Sequence, residues 1–359
     1  MELNSYMDQG IQSISSTVSS FYLNNVKGIK FLATFLPSLA KGSKLRKNYE
    51  KNGLHVPPFL IASIASQCNL HCAGCYARAD GMCSEHLSEE MKTEDWRRVF
   101  DEAAELGVSF ILLAGGEPLL KRDVIDIAAE HKGIVFPVFT NAMLVNDDYL
   151  KLFDEKRNLI PVISVEGSDE QTDLRRGKGV AEKIKSVMAE LKKRGILFAV
   201  SVTVTNQNLH TAVSEQYLRE LRQKGCGVVF YVEYVPAEKG TENLVLTYDD
   251  LEWLNGETQR LKSIIKDMTV LSFPGDEEYM EGCLAAARGF FHINPNGGAE
   301  PCPFSPFSVL NLKRNSIKEV LQSEFFEKVR CISKNAKEHN GGCTLFMHEE
   351  EVKKSVAGM

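Results

Sequence analysis

"FLIASIASQCNLHCAGCY" (Phe59–Tyr76) joins an uncharged, mostly apolar run to three cysteines within eight residues. The cysteines are Cys68, Cys72 and Cys75, and an aromatic residue, Tyr76, directly follows the third. The run "FLIASIAS" reads as a buried strand. The thiols therefore lie just past its C-terminal end, which is where active sites form in parallel α/β folds. Thiolates bind soft metals, either zinc or iron–sulfur clusters. His71 sits immediately before Cys72, and two adjacent side chains are poorly placed to reach one ion. Two readings follow from the spacing. One is a structural zinc with a distant fourth ligand; the other is a 4Fe–4S cluster with one iron left open.

Working outward, the same alternation repeats. "FILLAGG", "VFPVFTN", "LIPVISVEG", "LFAVSVTVT" and "VVFYVEYVP" read as five further buried strands. Helical periods separate them. In "VAEKIKSVMAELKKRG", Ile184, Val187, Met188 and Leu191 share one face. Six apolar strands with intervening helices predict a parallel sheet covered on its faces. Six units rather than eight predict a partial barrel.

The pattern divides the chain into four parts. Residues 1–56 read as a helical extension, 57–240 as the partial barrel, 241–281 as a helical connection and 282–359 as a small metal-organised domain. The stretch Lys27–Lys51 mixes apolar residues with seven basic ones opposed only by Glu50. Two readings stand for it, a membrane-surface helix or a helix packed on the barrel with a solvated basic face.

The chain has 359 residues, a net charge of −6 and nine cysteines. That charge gives no reason to expect a nucleic-acid partner. No secretory signal opens the sequence, and no apolar run reaches the ~20 residues of a membrane span. A cytoplasmic location follows as an expectation, with the cysteines serving metal or redox chemistry rather than disulfides.

Four segments, in order and each at a strand end, resemble the motifs of radical S-adenosylmethionine (SAM) enzymes. They are the cysteine loop, "AGGEP" (114–118), "FTNA" (139–142) and "ISVEGSDEQTDLRRGKG" (163–179). The resemblance implies a partial (β/α)6 barrel. It also implies a 4Fe–4S cluster on Cys68, Cys72 and Cys75 whose open iron binds SAM. The implied SAM site is Tyr76, Gly115, Gly116, Glu117, Asn141, Ser164, Glu166 and Arg176. In this reading the two glycines let backbone approach the ligand. Glu117 accepts from the methionine ammonium, Arg176 meets the carboxylate, and Ser164 and Glu166 hold ribose hydroxyls. Reductive cleavage of SAM then yields a 5′-deoxyadenosyl radical that abstracts hydrogen from a substrate. The plainer readings are a turn for Gly115–Gly116, a helix cap for Glu117 and a satisfied strand end for Ser164.

"CLAAARGFFHINPNGGAEPC" (283–302) resembles the opening of SPASM and twitch domains, which hold auxiliary clusters. That implies a second 4Fe–4S cluster on Cys283, Cys302 and Cys343, with Cys331 as a provisional fourth ligand. The closing part departs from the full pattern, since Phe346 stands where a C-x-x-C partner of Cys343 would be. Four thiolates on zinc are the alternative. Cys226 reads as core and Cys83 as a loop thiol without a role. The expected substrate is a peptide or protein side chain, with a small metabolite or lipid-linked molecule as the alternative. The electron donor would be a flavodoxin or ferredoxin. A non-catalytic iron–sulfur or zinc protein is the reading from another class.

Overall fold

The structure, a computed structural model, describes residues 3–23, 25–83, 90–273, 282–335 and 343–357. Two helices open it, α1 (Leu3–Tyr22) and α2 (Val26–Lys51). Asn25 caps α2, its side chain accepting from the backbone N–H groups of Lys27 and Gly28. Phe31, Leu32 and Phe35 of α2 join Ile11, Val18 and Tyr22 of α1 in one apolar cluster with Phe110, Val135, Ile160 and Leu197. Those last four lie at or near strand starts. The helical pair therefore covers the N-terminal end of the sheet.

The six expected strands are β1 (Phe59–Ala65), β2 (Phe110–Gly115), β3 (Phe136–Thr140), β4 (Leu159–Val165), β5 (Ala199–Val204) and β6 (Val228–Glu233). They lie side by side in chain order, each parallel to the next. The sheet does not close. A seventh parallel strand, β7 (Thr269–Phe273), extends it beyond β6. This strand falls in the stretch expected to be a helical connection, which also holds the helix Tyr248–Ile264. Beyond β1 the sheet gains β8 (His292–Ile293) and β9 (Ala299–Glu300) from the C-terminal part.

Phe139, Val162, Ala199, Val228, Phe230 and Leu271 form a small cluster on one side of the sheet. The main core packs the other side against the helices, where Trp96, Phe100, Phe136, Phe153 and Phe198 are fully buried. Each such side chain contributes roughly 1.5–3 kcal/mol by leaving water. The C-terminal part docks on β1 through a buried chain. Ser63 Oγ hydrogen-bonds His292 Nε2 and His292 Nδ1 pairs with Glu300 Oε2, each at 2.7 Å. No helix among the described residues is long and apolar enough to cross a membrane.

Candidate functional site

The loop carrying Cys68, Cys72 and Cys75 leaves the C-terminal end of β1, and several neighbouring segments hold it by backbone contacts. At the end of β2, the Gly116 N–H donates to Ala65 O at 2.7 Å and the Glu117 N–H to Gln67 O at 2.8 Å. A Cβ at Gly115, where φ is +117°, would meet Ala65 O at 2.4 Å; one at Gly116 would meet Gln67 O at 2.1 Å. The missing side chains thus serve first to let β2 press against the cysteine loop. After β4, the helix Asp169–Arg176 exchanges bonds with the loop. Ala73 N–H donates to Arg175 O at 3.0 Å, and Arg175 Nε to Ala73 O at 3.1 Å. After β6, Glu238 accepts from Gly74 N–H at 2.7 Å.

Two buried carboxylates flank the thiols. Glu117 accepts from Thr140 Oγ1 at 2.7 Å, Asn141 N–H at 2.9 Å and Leu119 N–H at 3.1 Å. It caps the turn Pro118–Leu120. Burial raises its pKa, and the bond from Asn141 pulls it back. Glu166, 2% exposed, accepts from Arg175 Nη1 at 2.7 Å and from Arg176 Nε and Nη2 at 2.8 and 2.5 Å. Its Oε2 is buried without a partner among the described residues, although a buried acceptor costs about 1–3 kcal/mol when unpaired. Arg176 is therefore engaged by Glu166, with Nη1 3.9 Å from Cys72 Sγ. Asn141 Nδ2 lies 3.8 Å from Cys68 Sγ. Burial pushes the Cys68 and Cys72 thiols up, while Arg176 and Arg175 pull Cys72 back.

Cys68, Cys72, Gly115, Gly116, Glu117, Asn141, Glu166 and Arg176 thus come together around one loop, and Cys75 closes it as the cap of a short helix, Tyr76–Ala79. Ser164 is half-buried on β4, two residues before Glu166 and in register with Ser201. Tyr76 lies between the two groups of thiols, its hydroxyl near both Cys75 and Cys302. Its ring packs edge-on against Phe304 at 5.2 Å and so faces the C-terminal domain. Arg175, Thr140 and Glu238 were missed by the sequence reading. Arg175 and Thr140 carried a signal, since they adjoin Arg176 and Asn141 within two of the quoted segments; Glu238 carried none. Cys83 comes close enough to Cys75 and Cys68 that their charges would add to the upward push of burial on its thiol, about 12. Cys226 is core.

The second group of thiols has a different build. Cys283, Cys302 and Cys343 are all buried. Burial raises the Cys302 thiol, followed by its hydrogen bond with Cys343 and the nearby Cys283. Cys331 stands apart, exposed on the helix Glu324–Asn335, whose Phe325, Phe326 and Val329 turn inward. That amphipathic face decides which way Cys331 points. Among the described residues, no three His, Cys, Asp or Glu side chains converge at single-ion distance. Three half-buried thiols, two of them with a cationic or amide N–H group beside the sulfur, and a carboxylate oxygen nearby that is unpaired among the described residues, fit an iron–sulfur cluster and a polar ligand.

Residues 63–214 match the model of the Radical SAM superfamily, and residues 283–344 match SPASM, an iron–sulfur cluster-binding domain. The chain is 25% identical over 332 residues to an AdoMet-dependent heme synthase of Methanosarcina barkeri, covering 84% of this chain and 90% of that one. It is 24% identical over 259 residues to a PqqA peptide cyclase of Granulibacter bethesdensis, covering 68% of each. Among solved structures, Streptococcus suis SuiB bound to its precursor peptide SuiA shares the fold. The TM-score is 0.65 at 17% identity, over 82% of this chain and 72% of that one.

Proposed function

The chain belongs to the radical SAM superfamily and carries a C-terminal SPASM domain, and from that premise we propose that it modifies a peptide or protein side chain. When bound, the cluster and SAM supply a one-electron reductive cleavage that delivers a 5′-deoxyadenosyl radical to a substrate C–H bond. The chain's own residues hold and shield that chemistry. Cys68, Cys72 and Cys75 would hold the cluster. The Arg176 guanidinium and the Asn141 amide lie beside Cys72 Sγ and Cys68 Sγ, and Glu166 Oε2 would accept from a ligand hydroxyl. Glu117 keeps lone-pair capacity beyond its three bonds and can accept from an ammonium.

The observation that carries the peptide reading is the pairing of this barrel with an SPASM domain, an architecture shared with relatives named as peptide cyclases. The longer match to a heme synthase supports a second reading, a small-molecule substrate of the tetrapyrrole kind. The two separate in one experiment. The enzyme is reconstituted without oxygen, reduced, and given SAM with either a peptide encoded next to its gene or an iron porphyrin precursor. Stimulated 5′-deoxyadenosine and a mass change in the peptide support the first reading; turnover with the porphyrin alone overturns it. A flavodoxin or ferredoxin is the proposed electron donor, in a cytoplasm that keeps these thiols reduced.

The reading extends to peripheral contact with an anionic membrane through α2. Arg46 is internal, bonded to Gly107 O and Ser109 Oγ, and Lys27 pairs with Asp154. Lys30, Lys41 and Lys44 remain exposed on the same outward face as Val26 and Ile29, 72% and 49% exposed. This face lies at the end of the sheet away from the cysteine loop. Flotation with phosphatidylglycerol vesicles, and none with phosphatidylcholine alone, is expected; no flotation with either ends the idea.

A further inference from the structure

We infer that Ser305 is the fourth protein ligand of the C-terminal thiolate site, binding iron through its Oγ beside Cys283, Cys302 and Cys343. The inference rests on the iron–sulfur reading of that domain.

The first support is local geometry. Cys302–Pro303–Phe304–Ser305 closes as a tight turn, with the Ser305 N–H donating to Cys302 O at 3.0 Å. The two residues also form an isolated antiparallel bridge. Residues opposed in this way project their side chains to the same side, with Cβ atoms about 5 Å apart. A C-x-x-C turn brings two donors to one metal centre by such spacing. Here the same spacing holds a thiol and a hydroxyl.

The second support is independent of the turn. Ser305 is 1% exposed, and its Oγ has no hydrogen-bond partner among the described residues. A buried hydroxyl left unpaired costs about 1–3 kcal/mol, so it calls for a bond that the protein alone does not supply. The nearby Ser333 differs, because its hydroxyl bonds to Cys283 O at 3.4 Å. The provisional alternative, Cys331, is exposed. Phe346, at the position a C-x-x-C partner of Cys343 would take, has no donor atom.

An oxygen donor is harder than a thiolate, yet iron accepts either. As the Oγ–iron bond forms, the hydroxyl releases its proton to solvent, as metal-bound side chains do. The auxiliary cluster is then fully ligated by protein. A substrate has no open iron there, so it must be held by side chains instead.

The test uses the full chain with Cys68, Cys72 and Cys75 all replaced by alanine, reconstituted without oxygen, so that only the C-terminal site holds iron. About four irons per chain are expected in this parent. Adding Ser305→Ala opens one iron, so mild oxidation should reduce the content to about three per chain and give a three-iron electron paramagnetic resonance signal. Ser305→Cys should keep all the iron and raise the reduction potential, because a softer ligand replaces the hydroxyl. Cys331→Ser should change neither. Ser305→Ala retaining its iron and spectrum through the same oxidation overturns the assignment. An unchanged potential in Ser305→Cys does the same, and iron loss in Cys331→Ser moves the fourth ligand to that thiol. A parent without iron overturns the iron–sulfur reading of the domain, and this inference with it.

Discussion

The molecule carries two groups of three thiols, built in opposite ways. Cys68, Cys72 and Cys75 come from one loop and are only half-buried. Neighbouring strand ends hold that loop through its backbone, by way of Gly116, Glu117, Arg175 and Glu238. Cys283, Cys302 and Cys343 come from separate segments and are buried. They meet because the C-terminal part folds back onto β1. The first arrangement leaves a face open for a ligand and surrounds it with charge. The second closes its thiols inside a core. A reactive centre needs access and tunable donors, whereas a centre that organises a small domain needs shelter.

The sharpest way to break this comparison is to remove one group and measure the other. Replacing Cys68, Cys72 and Cys75 with alanine should abolish 5′-deoxyadenosine formation and leave the C-terminal iron in place. Loss of all iron would overturn the iron–sulfur reading of the C-terminal domain, and the comparison with it.

Gly116→Val comes next in size. Its Cβ would lie 2.1 Å from Gln67 O, so the cysteine loop must move away from β2. Overpacking of this kind costs about 1–3 kcal/mol, occasionally more. We expect loss of SAM-dependent spectral change, with the C-terminal iron retained and a lowered denaturation midpoint. A normal SAM response in this variant would mean that the β2–loop contact does not shape the site.

Glu166→Gln keeps the shape but removes the charge that faces Arg175 and Arg176. Removing one partner of a buried pair costs on the order of 3–5 kcal/mol. SAM affinity, read by equilibrium dialysis of the reconstituted enzyme, should fall by tenfold or more. An unchanged affinity would make Glu166 a structural anchor for the two arginines only.

The smallest effect tests the ground between the two groups. Asp80, in the turn after the cysteine loop, has its pKa raised from 3.8 to about 6, first by burial and then by Glu300 and Glu349 of the C-terminal part. Its Oδ2 has no partner among the described residues. A raised carboxylate contributes stability that is present below its unfolded pKa and is lost as pH rises through the folded value. The wild type should therefore lose a little stability between pH 4 and about 6. Asp80→Asn should flatten that window and melt slightly higher at pH 7, as scanning calorimetry would show. A variant that melts lower at every pH would mean Asp80 is satisfied where it stands.

Much of the barrel was legible because its signals are local. Six apolar runs became β1 to β6 in chain order, and the four motif segments lie at the strand ends that place them together. β7 was not legible. "TVLSF" is short and follows a helix, and only its pairing with β6 makes it a strand. The pair β8–β9 is shorter still and depends on β1.

Sequence alone determined which residues carry the chemistry of the first site, because close spacing on one loop forces Cys68, Cys72 and Cys75 together whatever the rest of the chain does. It also determined the parallel sheet, since apolar period and length are properties of each segment. Tertiary structure alone decided how those residues are used. It set Arg176 against Glu166, turned Tyr76 toward Phe304 and gave Gly116 to the backbone of Gln67. It also left Cys331 in solvent while burying Ser305 beside Cys302. These choices depend on contacts between segments distant in sequence, where burial and unmet hydrogen bonds outweigh residue type, and no local pattern records them.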